Sequence, residues 1–207
     1  MKVLLINGSP EPNGCIARAL QEIQNTLKEE GVDSEIIHVG NKDIRGCIGC
    51  RSCKKTGKCV FNDIVNETAA KLKEADGIVL GAPVYFGSAN GTLVSFADRL
   101  FYSTSADLTM KVGASVVSAR RGGNTATFDE LNKYFTLRQM PIVSSQYWNQ
   151  VHGYSAVDVE KDKEGLQCMR VLARNMAFMI KAIGLAKEKY GLPKKEGRVY
   201  TSFSDGL

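Results

Sequence analysis

Short runs of consecutive apolar residues alternate along this chain with stretches in which apolar residues recur every three or four positions. That alternation restricts the fold more than any other feature, because the first pattern suits buried strands and the second amphipathic helices. The apolar run at residues 2–7 ends in Gly8-Ser9-Pro10, and further strands are predicted at 34–39, at 77–82 closed by Pro83, at 112–118, and from Pro141-Ile142-Val143 onward. Between them, Ile16, Leu20, Ile23 and Leu27 mark a helix that Gly31 stops, and Asn62 can cap one whose apolar side is Val65, Ala69 and Leu72. Leu93, Phe96, Leu100 and Phe101 mark a helix within 91–102, and another lies around 127–135. The last is long, over 161–186, with Leu166, Met169, Leu172, Met176, Met179, Ile180 and Ile183 on one side and Ser155-Ala156-Val157-Asp158 as a capping box before it. Five strands alternating with helices predict an α/β fold: a doubly wound, five-stranded parallel sheet in three layers, with strand order 2-1-3-4-5. The expected organisation is one domain over residues 1–190 with a cysteine-rich insertion at 46–60, then a surface tail at 191–207.

The composition suits such a domain. Of 207 residues, 43% are hydrophobic and 24% charged, and no stretch approaches the ~18 uninterrupted apolar residues of a membrane span. The amino terminus turns polar after four apolar residues, too few for a signal peptide, so the expectation is a cytoplasmic protein without a membrane partner. The net charge of +5 is spread along the chain without a run of five like charges, which argues against nucleic acid and leaves room for an anionic ligand.

In an open parallel sheet, ligands bind beyond the carboxyl ends of the strands, beside strand one where the order reverses. Three loops reach that edge. Residues 8–16 join a strand to a helix, so the amides of Gly14, Cys15 and Ile16 face an anion, while Ser9 and Asn13 add polar side chains. The loop is neither the G-x-G-x-x-G dinucleotide fingerprint nor a Walker loop. Residues 82–91 place Tyr85 and Phe86 among small residues, an arrangement suited to stacking on a planar ring with Pro83, Val84 and Gly87 beside it. Residues 118–124 add Arg120, Arg121 and the pair Gly122-Gly123, which permits close backbone approach. Together the loops describe a flat ligand with a phosphate at one end, the shape of flavin mononucleotide (FMN).

Four of the six cysteines, Cys47, Cys50, Cys53 and Cys59, follow the spacing C-x2-C-x2-C-x5-C. Thiolates so clustered bind an iron-sulfur cluster or tetrahedral zinc, or remain free, and the spacing leaves all three open. Lys54, Lys55 and Lys58 surround them with positive charge, which favours metal binding or thiol reactivity. Cys168, on the apolar side of the long helix, is expected in the core. Of two histidines, His38 ends a strand and is expected to be structural, while His152 shares with the sole tryptophan a segment that suits a structural role, an interface or the substrate edge of a flat ligand. Asp98 and Arg99 suit a helix ion pair or a positioning pair. Neither a phospho-acceptor Asp after strand one, nor a His partner for Ser9, nor a His/Asp metal cluster is present. That scarcity of acid–base groups suits a redox protein whose cofactor carries the chemistry, with no side chain expected to be catalytic in its own right.

Gly8-Ser9-Pro10 with Asn13-Gly14, and Ala82-Pro83-Val84-Tyr85-Phe86-Gly87-Ser88 followed by Leu93, Phe96, Asp98 and Arg99, resemble the phosphate loop, ring loop and following helix of the flavodoxin-like NAD(P)H-dependent FMN reductases. Cys47-Ile48-Gly49-Cys50-Arg51-Ser52-Cys53 with Gly57-Lys58-Cys59 is similar in spacing to the iron-sulfur flavoprotein branch. The resemblance covers most of the chain. It implies a flavodoxin-like fold and FMN held without a covalent bond. It further implies electrons from NAD(P)H or reduced ferredoxin, a small acceptor such as a quinone or flavin, and a homodimer or homotetramer. It also implies a [4Fe-4S] cluster on the four cysteines. Many relatives carry Asn-Thr after the loop glycine, where this chain has Cys15-Ile16, so the backbone amides remain and a phosphate-binding hydroxyl is lost. The rival expectation is a non-enzymatic binding module whose cysteines hold zinc or stay free.

Overall fold

A computed structural model gives the structure and describes residues 1–197, 199 and 201. The elements in chain order are β1 (Lys2–Asn7), α1 (Cys15–Glu29), β2 (Asp33–His38), α2 (Cys53–Thr56), α3 (Ile64–Glu74), β3 (Gly77–Tyr85), β4 (Ser88–Ala89), α4 (Gly91–Ser103), β5 (Val112–Ala119), α5 (Asn124–Leu137), β6 (Gln150–His152), α6 (Ala156–Lys161) and α7 (Lys163–Tyr190). Five parallel strands run in the order β2-β1-β3-β5-β6, and β4 folds back antiparallel on the end of β3. In chain order of the parallel strands this is 2-1-3-4-5, as the sequence predicts. Alternate side chains enter opposite layers. Val3 and Leu5 pack with Ile16, Leu20 and Ile23 of α1 and Leu172 and Met176 of α7, whereas Leu4 and Ile6 pack with Val65 and Leu72 of α3, Phe96 of α4 and Phe135 of α5. Burial on both faces is what a near-continuous apolar strand requires. Cys168 is buried, as expected.

Three local expectations are corrected. The last strand does not run on from Pro141. Ile142 makes one bridge to Gly113, the polar segment 144–149 leaves the sheet, and pairing resumes at Gln150 opposite Val117. Ser144-Ser145-Gln146 breaks the apolar run, and the Ser145 hydroxyl turns the chain by donating to the Tyr147 carbonyl (2.6 Å), while buried Asn149 donates to the Val143 carbonyl (3.4 Å) and ties the two pieces together. The capping box of Ser155 and Asp158 starts a separate short helix, α6. Asp162 then begins α7 by accepting from the Gly165 amide (2.9 Å), and it also accepts from the His152 amide (2.7 Å). The cap of α3 is Asp63, which accepts from the Val65 amide (3.1 Å), rather than Asn62. Part of the tail expected at 191–207 lies outside the described residues. Among the described residues no helix is long and apolar enough to cross a membrane.

Glu22 clamps α1 to α7. It accepts from Arg18 one turn away (2.8 Å) and from Arg170 across the interface (2.5 Å). Burial opposes its charge, but the two guanidiniums outweigh it and hold the carboxyl below the ordinary glutamate range. A carboxylate with a depressed folded-state pKa stabilises above its unfolded value and loses that contribution as pH falls through the folded value. Glu22→Gln should therefore cost about 1 kcal/mol at pH 7, given the partial exposure of the partners. Urea unfolding at pH 7 and pH 3 should show the gap between the two proteins narrow at the lower pH; a gap independent of pH would contradict the assignment.

Candidate functional site

The carboxyl ends of β1, β3, β5 and β6 open onto one cavity of about 600 Å³. Its walls are residues 9–15 after β1, Pro83 to Tyr85 at the end of β3, Ser118 to Arg120 at the end of β5, and Gly153 to Ala156 after β6. That size suits a cofactor with a ring and a phosphate. The position is where the strand order reverses beside β1.

The first loop is held from behind. The Gly8 amide donates to the Gly81 carbonyl (2.8 Å), Asn90 Nδ2 to the Gly8 carbonyl (2.7 Å), and the Ser9 amide to Asn7 Oδ1 (3.0 Å). His38 Nε2 lies 2.8 Å from the Ser9 carbonyl, so the imidazole donates there and is structural, as the sequence suggests. Gly40 packs flat on the same turn, where a Cβ would stand 2.0 Å from the Ser9 carbonyl oxygen. With the loop so fixed, α1 starts at Cys15 with Gly14 as its cap, no side-chain cap and no acidic residue in its first turn. Its first amides are thus free of protein side chains and carry the positive end of the helix dipole. The Cys15 sulfur donates to the Gly153 carbonyl (3.4 Å), joining the first wall to the last; burial pushes this thiol's pKa up.

The structure brings Ser9, Asn13, Gly14, Cys15, Pro83, Val84 and Tyr85 to the cavity wall. The Ile16 side chain is in the core, so only its backbone can face a ligand. Phe86, Gly87, Gly122 and Gly123 do not line the cavity. Phe86 is fully exposed at φ 52°, at the tip of the β3–β4 hairpin. Gly123 (φ 95°) supports that hairpin, since a Cβ there would meet Val84 at 2.7 Å. In the sequence, Gly153 ends a segment suited to the flavin edge or an interface and Ser155-Ala156 mark only a helix cap; the late return of the chain to β6 brings residues 153–156 to the edge. A larger cavity of about 920 Å³, between residues 105–110 and the described part of the tail, contains none of the predicted residues.

The cysteine segment lies along α4. Cys47, Cys50, Cys53 and Cys59 line one small cavity of about 20 Å³ together with Ile48, Val60, Phe61, Arg99, Tyr102 and Ser103. Cys47 and Cys50 are exposed. Cys59 is fixed: its amide donates to Asn66 Oδ1 (3.0 Å) and its carbonyl accepts from Asn66 Nδ2 (3.0 Å). Arg99 does not pair with Asp98, which instead accepts from the Tyr134 hydroxyl (2.6 Å). Arg99 is only 1% exposed and forms a fork on Asp63 (2.7 and 2.9 Å), while its Nε donates to Cys59 Sγ (3.2 Å) and its guanidinium stacks 5.0 Å from the Phe61 ring centroid. Burial works against the guanidinium's charge, but Asp63 and Cys59 outweigh it, so its pKa moves up. The sequence carries little signal for Arg99 beyond a charge beside the apolar stripe of Leu93, Phe96, Leu100 and Phe101. Among the described residues no group of three or more His, Cys, Asp or Glu side chains is arranged to hold a metal ion.

The family model described as NADPH-dependent FMN reductase matches residues 1–154 of this chain, from the first strand through the third wall and into the fourth. The chain belongs to the flavodoxin-like NAD(P)H-dependent FMN reductase family. Within it, the chain is similar to named iron-sulfur flavoproteins. One from Methanocaldococcus jannaschii is 36% identical over 191 residues, 88% of this chain and 99% of the relative. Another, from Methanosarcina thermophila, is 27% identical over 193 residues, covering 91% and 100%. The fold is shared with a crystal structure of RosB carrying a bound 8-demethyl-8-formylriboflavin-5'-phosphate intermediate, at TM-score 0.71 and 12% identity over 99% of this chain and 93% of that one. Membership of that family makes this chain an FMN-binding oxidoreductase, and the expectation of a non-enzymatic module falls. Family membership fits the scarcity of acid–base side chains around the cavity.

Proposed function

We propose that the 600 Å³ cavity holds FMN, with its phosphate on the amides of residues 14–16 and on Ser9 and Asn13, and its ring against Pro83, Val84 and Tyr85. The observation that carries this reading is the uncapped amino terminus of α1 opening into a cavity at the strand-order switch. Bound flavin supplies the redox chemistry, accepting a hydride or single electrons and releasing them singly or paired. The protein's share is to bind, to orient and to exclude water. Gly8, Ser9 and their buttresses fix the phosphate end. The Cys15–Gly153 contact closes the side of the cavity beneath residues 153–156. No side chain in the wall is needed to move a proton. The reading extends to NAD(P)H or reduced ferredoxin as donor, a small acceptor such as a quinone or flavin, and a homo-oligomer for which exposed Phe86 and Tyr154 supply apolar surface.

The same reading gives Cys47, Cys50, Cys53 and Cys59 a [4Fe-4S] cluster, which would supply one-electron transfer. The donor set fits: four thiols face one cavity, a buried guanidinium stands behind Cys59, and the Ser103 hydroxyl in the wall is buried without a partner. Among the described residues the thiols are not gathered into a group that holds a metal ion, zinc and cluster alike. The free space is about 20 Å³, so the exposed arm bearing Cys47 and Cys50 must stand further out to admit a cluster.

Anaerobic purification with flavin, iron and sulfide assays tests both halves. One FMN with four irons per chain is expected; colourless protein that stays so after mixing with FMN and desalting would refute the flavin site. Asn13→Asp places a carboxylate beside the phosphate. FMN affinity should fall roughly 30-fold, about 2 kcal/mol, as followed by flavin fluorescence; unchanged affinity would remove Asn13 from the phosphate site.

A further inference from the structure

We infer that the face of α4 made by Arg99 and Ser103 tunes the cysteine-bound cluster by hydrogen bonding to its sulfur atoms, with Ser103 as a donor that raises its reduction potential. The inference rests on the cluster reading above and goes beyond it, since it concerns residues that are not ligands. Arg99 and Ser103 are four apart on one helix and so lie on one face, one turn from each other. Both line the cysteine cavity. Arg99 is already engaged there through Nε and Cys59 Sγ, 3.2 Å apart. Ser103 is only 5% exposed, and its Oγ lacks a hydrogen-bond partner among the described residues. It does not bond back to the helix carbonyl one turn earlier, the usual resort of a helical serine. A buried hydroxyl without a partner is costly, and the cost is relieved when an acceptor occupies the adjoining cavity. Bridging sulfides and thiolates are such acceptors. One-electron reduction adds negative charge to the cluster, so a donor to its sulfurs stabilises the reduced form over the oxidised one.

The test uses the full chain, anaerobically reconstituted, as wild type, Ser103→Ala and Ser103→Thr. Iron and sulfide content, a potentiometric titration followed by electron paramagnetic resonance, and thermal unfolding of the apoprotein are measured together. All three proteins should load equal iron. At a fixed ambient potential the reduced-to-oxidised ratio of Ser103→Ala should fall about tenfold, which for one electron is a midpoint about 59 mV lower. Ser103→Thr, which keeps the hydroxyl, should stay near wild type. The apoprotein of Ser103→Ala should unfold no earlier than wild type, because it loses only an unpaired hydroxyl; a purely structural serine would give the opposite result and no change of potential. Equal potentials in Ser103→Ala and wild type at full iron content would overturn the inference while leaving the cluster standing. Loss of iron from Ser103→Ala alone would make Ser103 a support of the loop and overturn it as well. Wild type that takes up no iron would remove the cluster reading and this inference together.

Discussion

Gly40→Ala should unseat the turn at Gly8 and Ser9 and with it the flavin. The added Cβ would stand 2.0 Å from the Ser9 carbonyl oxygen, 2.2 Å from its carbonyl carbon and 2.4 Å from the Gly8 oxygen. All three are backbone atoms, so no side chain can swing away. The two segments cannot simply part, because the Val39 and Gly40 amides both donate to the Asn7 carbonyl (2.9 and 3.2 Å). Overpacking against backbone should cost about 3 kcal/mol of stability, at the upper end of such changes. The displaced turn also carries Ser9 and leads into the amides of α1. Losing even one charge-assisted phosphate contact is worth about 2–3 kcal/mol, so FMN affinity should fall about a hundredfold. Urea unfolding of the apoprotein and flavin fluorescence titration read the two effects separately. Wild-type FMN affinity in Gly40→Ala would show that this turn does not position the phosphate site.

Arg99→Met should be the most damaging change outside the flavin site. It leaves Asp63 without its fork and removes the donor from Cys59 Sγ and from the Arg45 carbonyl (3.2 Å). Breaking a buried pair by deleting one partner typically costs 3–5 kcal/mol. Asp63 keeps some exposure and still caps α3, so about 3 kcal/mol is expected. Arg99→Lys should recover little of this, since an ammonium cannot make the fork and reach Cys59 together. Denaturant unfolding checks both variants; a loss below about 1 kcal/mol in Arg99→Met would mean that solvent readily replaces the ion pair.

Much of this architecture is legible in the sequence, and the exceptions share a cause. Strands β1, β3 and β5 are buried on both faces and announce themselves as apolar runs, so the sheet, its order and the loops at its edge follow from pattern and handedness. The fourth wall does not follow, because β6 is three residues long and is reached through a polar excursion. The buttresses of the first loop are equally silent. His38, Gly40 and Asn90 stand 29 to 82 positions from the backbone they hold, and local composition carries no record of contacts that long-range packing creates. Phe86 is a different case: an aromatic in a loop of small residues suggests a ring platform, and the left-handed conformation at the hairpin tip leaves it fully exposed outside the cavity wall. Asp98 and Arg99 are adjacent in sequence and diverge in space, because neighbours on a helix point about 100° apart.

The four-thiol segment is anchored unevenly. Asn66 and Arg99 bolt down Cys59, whereas Cys47 and Cys50 stand in solvent on the far side of a turn with Gly49 at φ 66° and Arg51 at φ 58°. Such a segment is a jaw with one fixed half, not a cage closed during folding. On the cluster reading, the metal enters from outside after the sheet is complete, so loading is separable from folding.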